Sequence, residues 1–269
     1  MGRKLLFFVL AVCMFVVSFT AAAVAQDVAV VACSVNPAWT TEVQSKLVAT
    51  GFFTTVDTYE TDVATPTLAE LQTYDAVLVF TDGGCGAGTL GDNLADYVDG
   101  GGGVVTAVFA TASLPITGRF DTDNYWVIQP TGQTSGTTET LGTIFVPGHP
   151  ILNGVASFSG GTSSYRPSAD SLHPSATRIA NWTGAGNIAL IATREINGVR
   201  RADLGFFPPS TDSRSDLWVA STDGDIIMAN ALVWVSPERV PTMNEWGMII
   251  FMALAGLGSI YYIRKHRRV

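Results

Sequence analysis

Basic residues are scarce in the body of this chain. Of its 15 Lys and Arg, two stand in the first four residues and four in the last six, so Gln26 to Arg239 holds nine, with Lys46 the sole lysine. The same stretch carries 22 of the 23 Asp and Glu, all but Glu245, which leaves a formal charge near −13. A surface of that sign repels nucleic-acid phosphates and anionic lipid, and DNA or RNA is excluded as its main partner. Also missing are a charge run, a proline-rich linker and an internal repeat. With no divider, the roughly 215 residues are ample for one hydrophobic core, and we expect a single ectodomain over 26–239.

Long apolar runs occur only at the two ends. Arg3 and Lys4 precede Leu5 to Phe19, and small residues then close in Ala23-Val24-Ala25. A positive start, a short apolar run and an A-x-A site are the parts of a secretory signal, so residues 1–25 are expected to be removed and the mature chain to begin at Gln26. At the other end Met248 to Ile263 carries no charge and runs straight into Arg264, Lys265, His266, Arg267 and Arg268. Sixteen residues are slightly short of a ~30 Å hydrocarbon core, but Trp246, Tyr261 and Tyr262 suit the interfaces and the basic residues can snorkel. The expectation is a transmembrane helix over 248–263 with its tail cytoplasmic, an ectodomain facing outward, and the membrane as a partner.

Val240, Pro241, Thr242, Met243, Trp246 and Gly247 precede that helix, and the ordered combination with the basic tail resembles the IPTL-CTERM sorting signal. The resemblance covers about the last thirty residues, with Val240 and Met243 where the family has Ile and Leu. It implies delivery to the cell envelope and processing by an exosortase-type membrane transpeptidase.

Between the ends, short apolar runs alternate with helical spacing. Val28 to Ala32, Phe52 to Tyr59, Ala76 to Phe80 and Val104 to Phe109 have strand character, the first, third and fourth continuous enough for strands buried on both faces. Helical patterns fall at about 38–50, closed by Gly51, in a short segment after Pro66, and at 90–98 behind the turn Gly83-Gly84-Cys85-Gly86-Ala87-Gly88. This spacing predicts parallel β-α units and hence an α/β fold with an open, doubly wound, mostly parallel sheet. Later, 188–196 and 199–207 flank Asn197-Gly198, a hairpin signal, and Asp225 to Val235 closes the domain as a core helix. Thr131 to Thr138 and Ser157 to Ser164 have the composition of solvated loops.

The order Tyr74-Asp75-Ala76-Val77-Leu78-Val79-Phe80, then Leu94 to Val105 with its Gly101-Gly102-Gly103, then Gly148-His149-Pro150-Ile151-Leu152-Asn153-Gly154-Val155, then Gly205-Phe206-Phe207, is similar to the class I glutamine amidotransferase-like superfamily and its ThuA-like members. That resemblance implies a flavodoxin-like sheet but not catalysis. Its members with glutaminase chemistry place a cysteine on a G-x-C-x-G elbow after the fourth strand, where this chain has Phe109-Ala110-Thr111-Ala112-Ser113, and they follow it with a His-x-Glu that is absent here. Cys85 nearly spells the elbow, yet it follows the third strand and has no base in view; an acidic surround would also raise its thiol pKa. Asp121-x-Asp123-Asn124 and Asp223-Gly224-Asp225 offer oxygen atoms without completing a calcium loop, and such turns more often cap helices. Asn181-Trp182-Thr183 fits a glycosylation sequon that decides nothing for a bacterial-type chain. No metal, cofactor or catalytic residue is assigned.

Two cysteines remain after the leader with its Cys13. In a flavodoxin-like 2-1-3-4-5 strand order Cys33 and Cys85 share the carboxyl edge of neighbouring strands about 4.8 Å apart, within reach of a disulfide in an oxidising compartment. The expected protein is thus an exported, non-catalytic α/β binding or structural module. A surface hydrolase or carbohydrate-processing enzyme using the carboxyl edge of the sheet is the alternative.

Overall fold

The computed structural model describes residues 26–84, 86–184, 186–237 and 243–266. Residues 1–25, Cys85 and the motif residues Val240, Pro241 and Thr242 lie outside that description. The chain divides into two units, one ending at Ser236 and one starting at Pro237.

The first unit begins with β1 (Gln26–Cys33), α1 (Pro37–Ala49), β2 (Phe53–Glu60), the short α2 (Leu68–Leu71), β3 (Ala76–Thr81), α3 (Ala87–Asp99) and β4 (Gly103–Ala107). After one turn of helix, α4 (Arg119–Thr122), come β5 (Gln133–Thr134), β6 (Leu141–Ile144), a 3-10 turn at Pro150–Leu152, β7 (Arg166–Pro167), β8 (Thr177–Trp182), β9 (Ala189–Ile196), β10 (Val199–Leu204) and α5 (Gly224–Val235). Eight strands form one sheet in the order β2-β1-β3-β4-β10-β9-β8-β6, and β5 pairs with β7 apart from it. The first five strands in that order are parallel, and β9, β8 and β6 extend the sheet antiparallel from β10. The α/β fold with a mostly parallel sheet and an added hairpin is therefore present, and the 2-1-3-4 order is the flavodoxin-like one.

Why these segments become these elements is plain locally. Asn36 accepts a bond from Ala38 N at 3.2 Å and Pro37 occupies the first helical position, so α1 starts on a cap and a proline that needs no donor. Gly51 then reverses the chain at φ +71°. Thr67 and Glu70 form a reciprocal capping box on α2. The β9–β10 hairpin turns through Asn197 and Gly198, both at positive φ (51° and 84°), as a type I′ turn requires.

Alternation along the strands sorts the core onto two faces. Val28, Val30 and Ala32 pack with Val43 and Leu47 of α1 and Ile227, Ala231 and Leu232 of α5, whereas Ala29 and Val31 pack with Leu90, Leu94 and Val98 of α3. Helices on both faces make the sheet doubly wound.

Two expectations need correction. Val108 and Phe109 are not strand residues, because β4 ends at Ala107 and the chain turns there. Ser157 to Ser164 is not a solvated loop. Phe158, Gly160, Gly161 and Ser164 are buried, and a Cβ at Gly160 would lie 2.7 Å from the Trp182 ring and one at Gly161 1.8 Å from Leu217 O. The glycines of that segment mark close packing, which composition alone does not separate from flexibility.

The second unit contains α6 (Met243–His266). The expected span, 248–263, falls inside it, with the side chains of Met248, Ile249 and Tyr261 outside the description. Among the described residues no helix is long and apolar enough to cross a membrane, so the transmembrane helix expected from the full sequence is not shown by the structure.

Candidate functional site

Open sheets of this order bind ligands beyond the carboxyl ends of their strands, near the point where strand order reverses. Here that point lies between β1 and β3. Cys33 pairs in register with Thr81, Asp82 N and Gly83 N both donate to Cys33 O at 2.7 and 3.1 Å, and Cys33 Sγ lies 3.2 Å from Gly83 O. Residues 81–83 thus pass directly against Cys33. Cys85, two residues on, is outside the description, so the expected bond carries over as a proposal.

From the same edge, side chains converge at the sheet centre. Trp39 comes from the first turn of α1, Asp82 from the end of β3, Phe109 from the turn after β4 and Phe207 from beyond β10. Phe207 packs against Trp39, Phe80, Phe109 and Tyr165 with ring centroids 5.8, 5.6, 5.0 and 6.4 Å apart. Tyr165 meets Phe109 edge-on at 5.0 Å. Above this floor Arg214 Cζ sits 5.5 Å from the centroids of both Trp39 and Tyr165. Its Nε and Nη2 donate to the two carboxylate oxygens of Asp216 at 2.5 and 3.0 Å, and Nη2 also donates to the Tyr165 hydroxyl at 3.0 Å. Ser163 Oγ donates to the same carboxylate. The hydrogen bonds from Arg214 hold Asp216 below the usual carboxylate range, and those to Asp216 raise the guanidinium in turn.

Asp82 is different. Its Oδ2 is sealed from solvent and accepts no hydrogen bond. Burial pushes its pKa up to about 6, against the opposing pull of the Arg214 charge. Behind Tyr165 and Phe207 a narrow crevice walled by Gly160, Trp182, Phe206, Leu217 and Trp218 has room for about one water molecule. Neither Arg214 nor Asp82 lines it. Beside it Ser210 donates to Glu42 Oε1 at 2.6 Å, and burial raises the Glu42 pKa in spite of that bond.

The elbow position holds no cysteine. Phe109 is part of the aromatic floor, and Thr111, fully buried, has a hydroxyl without a partner. His149 and His173 are both structural: His149 Nδ1 accepts from Ile151 N at 3.3 Å while its ring lies 5.2 Å from that of Trp234, and His173 Nδ1 accepts from Ser175 N at 3.1 Å. The acidic turns are occupied too. Asp121 accepts from Trp126 Nε1 at 2.9 Å, Asp123 pairs with Arg119 at 3.0 Å, and Asp223 Oδ2 accepts from the amides of Ala156 and Ser157 at 2.8 and 2.7 Å. Among the described residues no group of three or more His, Cys, Asp or Glu is placed to hold a metal. Of the sorting-motif residues, Met243, Trp246 and Gly247 begin α6, with the side chains of the first two outside the description.

Sequence reasoning did not reach Asp82, Tyr165, Arg214 or Asp216. Only Asp82 had a legible signal, as the first residue past a buried strand at the switch point.

No family model matches the chain, and no curated protein does. Solved structures do. A ThuA-like protein of Parabacteroides merdae ATCC 43184 superposes with a TM-score of 0.56 at 14% identity, over 81% of this chain and 94% of its own. One from Bacteroides uniformis ATCC 8492 gives 0.54 at 14% identity, over 79% and 93%. At that identity the likeness is one of fold, and the unit ending at Ser236 has the fold of these ThuA-like proteins.

Proposed function

We propose that this chain is an exported cell-envelope protein whose α/β module binds a ligand at the carboxyl edge of its sheet without catalysing a reaction on it. The observation that carries this reading is the elbow after β4, where buried Thr111 stands in place of a cysteine and no base is bonded to its hydroxyl. The crevice beside it is small and aromatic, and Asp82, whose pKa burial raises, receives no hydrogen bond at Oδ2 from a hydroxyl or thiol that it could activate. That same shifted acid is what favours the rival reading, a surface hydrolase or carbohydrate-processing enzyme.

Export rests on the leader over 1–25 and on the C-terminal signal, Val240 to Gly247 with the apolar run 248–263 and basic tail. Ile250, Phe251, Leu254 and Leu257 are more than half exposed on α6. Apolar side chains in such number need a cover, and a bilayer supplies one. The chain would be held in the membrane at least until an exosortase-type enzyme acts on the Pro241-Thr242 region. Outside the cytoplasm Cys33 and Cys85 would pair, closing a loop of about fifty residues worth roughly 4 kcal/mol on the chain-entropy model.

Intact-mass spectrometry of unreduced protein purified from membranes tests the export reading. A chain beginning at Gln26 and two hydrogens lighter than its dithiol form is expected; Met1 intact or two free thiols would refute leader removal or pairing respectively. Incubation with glutamine should release no ammonia. Turnover abolished by Cys85→Ala would overturn the non-catalytic reading.

A further inference from the structure

The parallel strands all start along one edge of the sheet, and their register sets Gln26 beside Phe53, Ala76 beside Gly103, and Arg201 beside Val104. Both ends of the unit leave from this amino edge. Gln26 opens β1, and at the other end Val235 closes α5 against the start of β4, where a Cβ on Gly103 would lie 2.6 Å from its carbonyl oxygen. Arg200 fixes that last turn, with Nη1 donating to Trp234 O at 3.0 Å and its guanidinium carbon 5.6 Å from the Trp234 ring centroid. The leader ends at Ala25 and the apolar run 248–263 follows soon after Ser236, so the two segments of this sequence that seek a membrane join the unit at the same edge.

That edge carries apolar side chains without a cover. Val48 in the last turn of α1 is 58% exposed, Phe52 just ahead of β2 is 40% exposed, and Val233 in the last turn of α5 is 40% exposed, with Trp234 half-buried beside it. α1 and α5 pack on one face of the sheet, and both end toward this edge. The acids nearby are engaged: Asp75 Oδ2 accepts from Asp27 N at 2.9 Å, and Asp99, at the end of α3 on the other face, pairs with Arg119 at 2.9 Å. Val35 and Val63 are exposed to a similar or greater degree at the carboxyl edge, so exposure alone does not choose between the edges. The reach of the chain does. The seven residue steps from Ser236 to Met243 span at most about 25 Å fully extended, no more than the ~26 Å of the eight-residue β1. A tether of that reach lays the edge it leaves against the bilayer with slack to spare, whereas the opposite edge comes there only with the tether taut along the full length of the strands.

We propose that the amino edge of the sheet is a membrane-docking surface, with Val48, Phe52, Val233 and Trp234 seated in the headgroup layer of a zwitterionic bilayer and the carboxyl edge turned away from it. The contact is apolar, because an ectodomain with a formal charge near −13 gains nothing from an anionic surface. The assignment rests on the anchoring reading above and gives the anchored module an orientation, its candidate site facing outward.

The test uses the full chain reconstituted in phosphatidylcholine vesicles, with the fluorophore NBD attached to Val48→Cys or, as the opposite-edge control, to Val63→Cys. Peptide mass confirms that the label sits on the introduced thiol, and dithionite added outside reads the outward-facing fraction. The label at 48 should be quenched at least about tenfold more slowly than the label at 63, the shielding that burial of one apolar side chain supports. Phe52→Ser in the chain labelled at 48 should remove part of that shielding. Equal quenching at the two positions, or slower quenching at 63, in a chain that floats with the vesicles would overturn the docking surface while leaving the anchor in place. A chain that does not float with the vesicles would instead overturn the anchoring reading on which the orientation rests.

Discussion

Asp82 illustrates what a half-buried carboxyl with an unpartnered oxygen costs a fold. Its carboxyl titrates in the folded protein near pH 6 and in an unfolded chain near ~3.9. Below the lower value the group is protonated in both states and contributes nothing. Between the two the unfolded chain ionises while the folded one does not, so stability falls as pH rises and stays reduced above about 6. The full two-unit shift would correspond to almost 3 kcal/mol, but partial solvent access reduces that to about 1–2 kcal/mol. Asp82→Asn should therefore raise the unfolding free energy by about that amount at pH 8 and leave it unchanged near pH 3, measured by urea denaturation at both. A variant equally or less stable at pH 8 would show that Asp82 is solvated or paired in solution.

At the scale of elements, the parallel half of the sheet was legible and the long excursion between β4 and β8 was not. β1, β3 and β4 are continuous apolar runs because both of their faces are covered, and a doubly covered strand announces itself. β6 is four residues with no alternation, and β5 and β7 are two residues each, too short for any periodicity to register. What fixes the excursion is a buried charge pair that no local pattern betrays. Arg201 and Asp203 of β10 are wholly buried; Arg201 Nη2 donates to Asp203 Oδ1 at 3.1 Å, and Asp203 Oδ2 accepts from Val127 N and Ile128 N at 2.9 and 2.8 Å. Arg201 also donates to Val104 O at 2.7 Å and Tyr125 O at 3.2 Å and lies 4.7 Å from the Phe120 centroid. The returning chain is thus tied to the sheet edge from β4 outward by a pair whose two members sit two residues apart. Arg201→Met should cost about 3–5 kcal/mol, because it strands the Asp203 charge in the core. Amide exchange at Val127 and Ile128 should accelerate alongside. A loss under ~1 kcal/mol would show that this pair does not hold the excursion.

At the scale of the whole molecule, the two units present different surfaces. The unit ending at Ser236 is acidic and sorted into three apolar clusters, with its polar groups largely matched. The second unit places exposed Ile250, Phe251, Met252, Leu254 and Leu257 along one helix and ends in basic residues. Among the described residues the apolar clusters of the first unit end at Val235. Removing everything from Val240 onward should therefore leave folding intact while removing retention. Expressed with its leader, the truncated chain is expected in the medium or periplasm as a soluble protein whose urea midpoint matches that of the same unit in the full chain, since no core contact is lost. The full chain should sediment with membranes and resist extraction by high salt, because burial of apolar surface is not screened as charge attraction is. A truncated chain that stays in the membrane fraction after a salt wash would place the anchor in the ectodomain and end the sorting reading. A full chain released by salt would show that the helix lies on a surface by charge alone.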